Sequence, residues 1–289
     1  FVVLSVPWPV TPALIHALSA KGVPVLAETP PAPDLAGLDA LLSAVPKAAK
    51  VQVAEQYPFQ PFLAACISVA RSGKLGEISQ AQVSVAHGYH GSSVMRKLLG
   101  VGAEPVEIRA RRFESPLVEG PGRGGPPKEE LVKPSGQLLA WLGFGKKLGV
   151  FDFCGDQNFS WVRSQRLLVR GERGEINYDT VRSLTDFATP VRETLVRENA
   201  GENGNLEGQH LKAITLGAER VYVNPYPARL SDDEIAIATC LEKMGVYAAG
   251  GAPFYPLAEA AYDHYLGLMI DKAAKDGAPL TAPVPPWMH

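Results

Sequence analysis

Cysteine is scarce: Cys66, Cys154 and Cys240 are the only three in 289 residues. Three widely spaced thiols exclude a disulfide framework, and no signal-peptide pattern is present, so the expected setting is a reducing cytoplasm. Neither sign of charge dominates: 28 Lys and Arg face 30 Asp and Glu, a formal net charge of -2. That balance argues against a nucleic-acid partner held mainly by electrostatics. No run of ~18 uncharged apolar residues occurs, so no membrane span is expected. Disorder is excluded by composition, with 46% hydrophobic and 20% charged residues.

Glycine (28) and proline (25) are plentiful, and many turns follow from them. At about 150 residues per domain, the length fits one large or two ordinary domains. The chain opens on Phe1 inside an apolar run, Phe1–Val6, which reads as a buried parallel strand. A strand placed so early leads us to expect further sequence ahead of it.

The first part alternates strand and helix. After the run to Val6, Thr11 and Pro12 read as a cap and first helical residue, and Gly22 as the stop. Val23–Leu26 reads as a second strand, Asp34 as the cap of a helix to about Ser43, and Val51–Ala54 as a third strand. This is the βαβ order of a parallel sheet. A helix over about 61–72 and a strand over 77–86 follow, then a short helix over 93–99 and a strand over 107–113. Residues 116–136 hold ten Gly or Pro and read as a long loop. Strand-like stretches at 148–154, 160–170, 174–178 and 190–197 read as antiparallel, two of them joined by Gly171–Gly174. Ser231–Glu234 is a capping box opening a helix to about Met244, and a last helix spans Leu257–Asp276, followed by a Pro-rich tail. The expected fold is therefore α/β: a partial Rossmann-type parallel sheet over 1–72, then an α+β domain with an open, mainly antiparallel sheet over 73–289. The last helix is expected to pack back.

Several residues are placed for chemistry. Gly120-Pro-Gly-Arg-Gly-Gly125 fits G-x-G-x-x-G by letter, but Pro121 interrupts it and Pro126-Pro127 follow it. A phosphate loop needs a strand before and a helix after, so this stretch reads as a loop. His87 and His90 sit where a strand ends and a helix begins, the edge at which α/β proteins place ligands. A neutral imidazole there can take a proton from a hydroxyl, or simply pack in the turn. His-x-x-His without further ligands does not make a zinc site. Glu28 ends the second strand and either bonds ribose hydroxyls or stays a solvated loop carboxylate. Glu55-Gln56-Tyr57 ends the third and is placed to face a ligand. His16, mid-helix, has packing as its default role. Asp152, Asp156, Asn158 and Trp161 bracket a hairpin, where they either bind sugar hydroxyls or serve the turn.

Taken in order, these segments resemble the Gfo/Idh/MocA oxidoreductases, the glucose–fructose oxidoreductase and inositol dehydrogenase family. The strand, Pro-led helix with a His, Gly-x-x-Val and Glu-Lys-Pro of that family match Val6-Pro7, Thr11-Pro12, His16, Gly22–Val25 and Glu28-Thr29-Pro30. Tyr57–Phe59 and Gly73–Ile78 continue the order. Ala86–His90, leading to Leu98-Leu99-Gly100, matches Asp-x-Gly-x-His and its following helix at the family's spacing. Arg170–Ile176 and Glu259–Asp263 also fit, so the resemblance covers nearly the whole chain.

The resemblance implies a Rossmann domain binding NAD or NADP and an open sheet that walls the substrate and mediates homo-oligomerisation. It implies hydride transfer between nicotinamide and a hydroxyl-bearing carbon of a sugar or cyclitol. His90 then stands as the base, with Thr29 at the family's Lys and His87 as a partial substitute for the Asp replaced by Ala86. Pro7, Trp8, His16, Glu28, Pro30 and Gln56 are the cofactor-facing candidates and Tyr57 and Tyr89 the substrate-facing ones, joined by Asp152 and Trp161 from the hairpin reading; no metal is expected. The Gly-rich first βαβ portion, about 60–75 residues, is expected ahead of Phe1. Losing the Lys and the Asp removes charged or oriented donors, which opens a second reading: a non-catalytic relative that binds a nucleotide or sugar and acts through a partner. A third is elimination or hydrolysis, with His87 and His90 as an acid–base pair.

Overall fold

The computed structural model describes residues 1–288. Its first unit is a three-stranded parallel sheet of β1 (Val2–Leu4), β2 (Val25–Ala27) and β3 (Val51–Val53), in that spatial order. β2 and β3 are buried at every position because neighbours cover both faces, which explains their unbroken apolar sequence. The crossovers are α1 (Thr11–Ser19) and α2 (Leu35–Ala44). Asp34 caps α2 as expected, its Oδ1 accepting from the Gly37 N–H at 2.8 Å. Thr11 does not cap α1. It is the first helical residue, and Val10 takes the cap position without a side-chain cap bond.

α3 (Pro61–Arg71) leads to β4 (Ile78–Ser84) and α4 (Gly88–Leu99). α4 begins five residues earlier than expected and takes in both His90 and the small residues Gly91, Ser92 and Ser93. Those small residues are buried, because the helix lies close against the sheet. Then come β5 (Val106–Val118), β6 (Val132–Phe144), β7 (Lys147–Cys154), β8 (Arg166–Gly171), β9 (Gly174–Asn177), β10 (Thr180–Leu184), β11 (Pro190–Asn199), β12 (Leu211–Leu216) and β13 (Glu219–Val223). α5 (Asp232–Ala248), α6 (Leu257–Asp276) and β14 (Leu280–Ala282) complete the chain. The large sheet runs β13-β12-β11-β10-β9-β8-β4-β7-β6-β5-β14. Its neighbours are antiparallel except β4 and β7, which run parallel.

The expected loop over 116–136 is shorter, because β5 and β6 pair from Val118 and Val132 onward. Pro134 had argued against a strand, but it lies outside the stretch of β6 that also pairs with β7, which begins at Gln137. The stretch 160–170 is strand only from Arg166. Ahead of it the Ser160 hydroxyl accepts from the Val162 and Arg163 N–H groups and holds a turn. The β8–β9 turn is where it was expected, with Gly171 opposite Gly174.

One face of the large sheet lies under α4 and α6. Ile108, Ala140 and Phe151 point into that layer and are buried. The other face carries Trp141, Leu139 and Leu148 in the open. Close approach of α4 to β7 depends on Gly91: a Cβ there would sit 2.5 Å from the Phe151 ring and 3.0 Å from the Ala86 carbonyl. At Gly149 the added atom would instead meet the flexible Met95 thioether. Gly91→Ala should therefore cost about 1–3 kcal/mol in urea unfolding, and Gly149→Ala clearly less. Equal losses would contradict this packing.

Candidate active site

Parallel strands put their carboxyl ends along one edge. Here that edge gathers Pro7 and Trp8 after β1, Glu28–Pro30 after β2 and Glu55–Tyr57 after β3. The end of β4 and the first turn of α4 bring His87, Tyr89 and His90 to the same place: His90 Nδ1 lies 2.7 Å from Glu55 Oε2. The two side chains are only 7% and 2% exposed. The His90 ring packs against Tyr57 at 4.2 Å and Tyr89 at 4.3 Å between centroids. Glu55 also accepts from the Tyr57 N–H at 3.3 Å.

This pairing fixes chemistry. An ionised carboxylate can only accept, so Nδ1 carries the proton and donates it to Glu55. Nε2 is left with its lone pair, in a ring whose orientation is locked. A buried carboxylate needs such partners, since an isolated one would be costly to desolvate.

The rim differs. His87 is exposed, with its ring 5.0 Å from that of His90. Burial first, and then the neighbouring His90, push its pKa below the ordinary imidazole value, so it is neutral at pH 7. Tyr89 is pushed up to about 12, mainly by burial and against a hydrogen bond with Thr29, and is thus a neutral phenol. Thr29 is half-buried, and its N–H reaches the Glu28 carboxylate at 3.3 Å. Gln56 is half-buried and Pro30 buried on the same edge, whereas Glu28, Pro7 and Trp8 are exposed.

Other expected residues lie elsewhere. α1 carries His16 away from the edge, and its exposed side chain forms no hydrogen bond among the described residues. Asp152 is on the face of β7 turned away from α4. There it accepts from Arg166 at 2.6 Å and from Gln137 and Gln82. Trp161 is 64% exposed in the turn before β8. Asp156 accepts from the Ser135 hydroxyl at 2.7 Å. No cluster of three or more His, Cys, Asp or Glu among the described residues is arranged to hold a metal ion. No helix of the described residues is long and apolar enough to cross a membrane.

Glu55 is the candidate site residue that the sequence named only as part of a strand end. A carboxylate two residues past a fully buried strand is the signal for it. A second polar layer lies behind. Arg96, one face of α4, bonds Asp263 at 2.7 Å and Glu259 at 2.9 Å, both on α6. Tyr255 donates to Asp263 at 2.5 Å and contacts the Ser93 hydroxyl at 2.6 Å. Burial pushes Asp263 up to about 6, against the pull of Arg96. Arg96→Met would leave Asp263 buried without its cation and should cost about 3–5 kcal/mol in chemical denaturation. A loss below about 1 kcal/mol would show the pair to be replaceable by packing.

No protein-family model and no curated protein matches the chain in sequence. Solved structures do match it in fold. Levoglucosan dehydrogenase in its apo form aligns over 98% of this chain and 80% of its own, with TM-score 0.68 and 18% identity. An oxidoreductase from Agrobacterium radiobacter, solved with NAD+, L-tartaric acid and magnesium, aligns over 97% and 79%, with TM-score 0.63 and 16% identity. The transcriptional regulator Gal80p from Kluyveromyces lactis aligns over 99% and 77%, with TM-score 0.65 and 16% identity. The neighbours include Gfo/Idh/MocA-type oxidoreductases, and this chain has their fold: a small parallel sheet beside a large, mainly antiparallel one.

Proposed function

We propose that the protein is a nicotinamide-dependent oxidoreductase acting on a hydroxyl-bearing carbon of a sugar or cyclitol, with His90 as the proton acceptor. The observation that carries this reading is the 2.7 Å contact between His90 Nδ1 and Glu55, beside the carboxyl ends of β1–β3. Residues 1–72 are then the later part of a dinucleotide-binding domain, and 73–289 the substrate and oligomerisation domain.

The residues at the strand ends fit the nicotinamide half of NAD or NADP. Trp8 is exposed for ring contact, and Glu28 and Gln56 offer polar groups toward the ribose and carboxamide. The described residues contain no glycine-rich strand–turn–helix for the pyrophosphate; Gly120–Gly125 lies in the β5–β6 loop. Bound nicotinamide supplies the hydride acceptor or donor. His90 Nε2 takes the hydroxyl proton as the carbon is oxidised, and Glu55 stabilises the resulting imidazolium. Tyr57 and Tyr89 wall the ring, and Thr29 offers one uncharged hydrogen bond where the resembled family has a Lys. Self-association through the open sheet is supported by its exposed Trp141 (61%) and neighbouring Leu139.

Gal80p and the residues Thr29 and Ala86 favour a second reading, a binding protein without turnover. One experiment separates the two: NADH titration and steady-state assay with a panel of sugars and cyclitols, on wild type, His90→Asn and Glu55→Gln. We expect NADH binding to be unchanged and kcat to fall about 10²–10⁴-fold in His90→Asn, with a smaller fall in Glu55→Gln. Wild-type turnover in His90→Asn would remove the catalytic role, and NADH binding without turnover in wild type would favour the second reading.

A further inference from the structure

On the far side of the His87–Tyr89 turn, a cavity of about 310 Å³ opens between the start of α4, α6 and strands β5–β7. Its walls are mainly apolar: Phe151 and Phe153 from β7, Leu138 from β6, Leu268 and Ile270 from α6. The polar side chains of the lining are Arg112, Asp271, His87, Tyr89 and His264. Arg112 and Asp271 pair with each other. His264 Nε2 lies 3.3 Å from the Pro33 carbonyl. Arg112 and Asp271 are 63% and 52% exposed, so the charged part of the lining is the part open to water, and the phenylalanine and aliphatic side chains form the rest of the wall.

Against the Phe151, Phe153, Leu138 and Ile270 part of the wall, a hydroxyl-bearing carbon would lose its water and find no replacement. An aryl or alkyl group would not, and would gain from leaving water. The cavity is also within reach of the site, since His87 lines it and its ring lies 5.0 Å from that of His90. We infer that the substrate carries an aryl or alkyl group next to its reacting hydroxyl-bearing portion, as in an aryl glycoside, and that this group occupies the cavity. The inference rests on the oxidoreductase reading for the reaction, but the cavity's preference is testable by binding alone.

Gly136 gives the variant. It lines the cavity, and a Cβ on it would meet nothing within 4 Å, so Gly136→Phe fills the space without forcing the backbone. The probes are phenyl β-D-glucopyranoside and methyl β-D-glucopyranoside, titrated by ligand-observed NMR against the full-length protein. We expect the phenyl glycoside to bind at least about tenfold more tightly, a difference of about 1.4 kcal/mol. Saturation should be strongest on its aromatic protons. Gly136→Phe should abolish the difference and Gly136→Ala should keep it. Equal binding of the two probes, no binding of either, or weak saturation of the aromatic protons in wild type would each overturn the inference without reference to any variant. A phenyl preference that survives in folded Gly136→Phe would do the same. NADH titration of the same sample keeps the two claims apart. NADH binding without a phenyl preference defeats the cavity alone. A phenyl preference without NADH binding supports the cavity and defeats the oxidoreductase reading.

Discussion

A guanidinium removed from water must be answered by carboxylates in fixed positions, and Arg96 is 4% exposed. Its partners Asp263 and Glu259 belong to α6, so satisfying this one charge fixes how α4 lies against α6. Tyr255, which precedes α6, shares Asp263 and reaches back to Ser93 on α4. The Tyr255 backbone is in turn tied to β3: its carbonyl accepts from the Val53 N–H at 2.9 Å, and its N–H donates to the Gln52 side chain at 2.7 Å. The buried network therefore reaches from α4 through α6 to the small parallel sheet. His90 sits six residues before Arg96 on the same helix, and Glu55 two residues after β3. Their 2.7 Å approach depends on that frame.

The frame also separates two environments. Toward the carboxyl ends of β1–β3, His90 meets an edge of carboxylate, amide and hydroxyl groups. Past His87 and Tyr89, the space between helices and sheet is lined mostly by rings and aliphatic chains. Phe151 and Phe153 face that space because residues alternate along β7, and the same alternation sends Asp152 to the opposite face with Arg166. Hydride-transfer chemistry needs a polar, oriented proton acceptor, while selection of a substrate's remaining portion is a matter of shape and desolvation. On the proposed function, these tasks fall on opposite sides of one short turn.

Local signals in the sequence located what local physics decides. Asp34 and the Ser231–Glu234 capping box mark helix starts correctly because caps act within a few residues. His87 and His90 were visible because a strand end followed by a helix is itself a local pattern. Long-range consequences were hidden. Glu55 finds its partner 35 residues away, and Arg96 finds Asp263 167 residues away. Asp152 looked like a substrate contact because nothing in its neighbourhood says which face of β7 will be covered. β6 was hidden by Pro134 and Gly136, whose cost is small where only one neighbouring strand must be satisfied.

The central claim is that Glu55 holds His90 with its proton on Nδ1 and its lone pair on Nε2. Nitrogen-detected NMR of the histidine side chains at neutral pH, with His90 assigned by substitution, tests it most directly. The account predicts a His90 ring that carries a proton on Nδ1, donated to Glu55. A ring protonated at Nε2 with a bare Nδ1 would contradict it, because such a ring has no proton to give to Glu55.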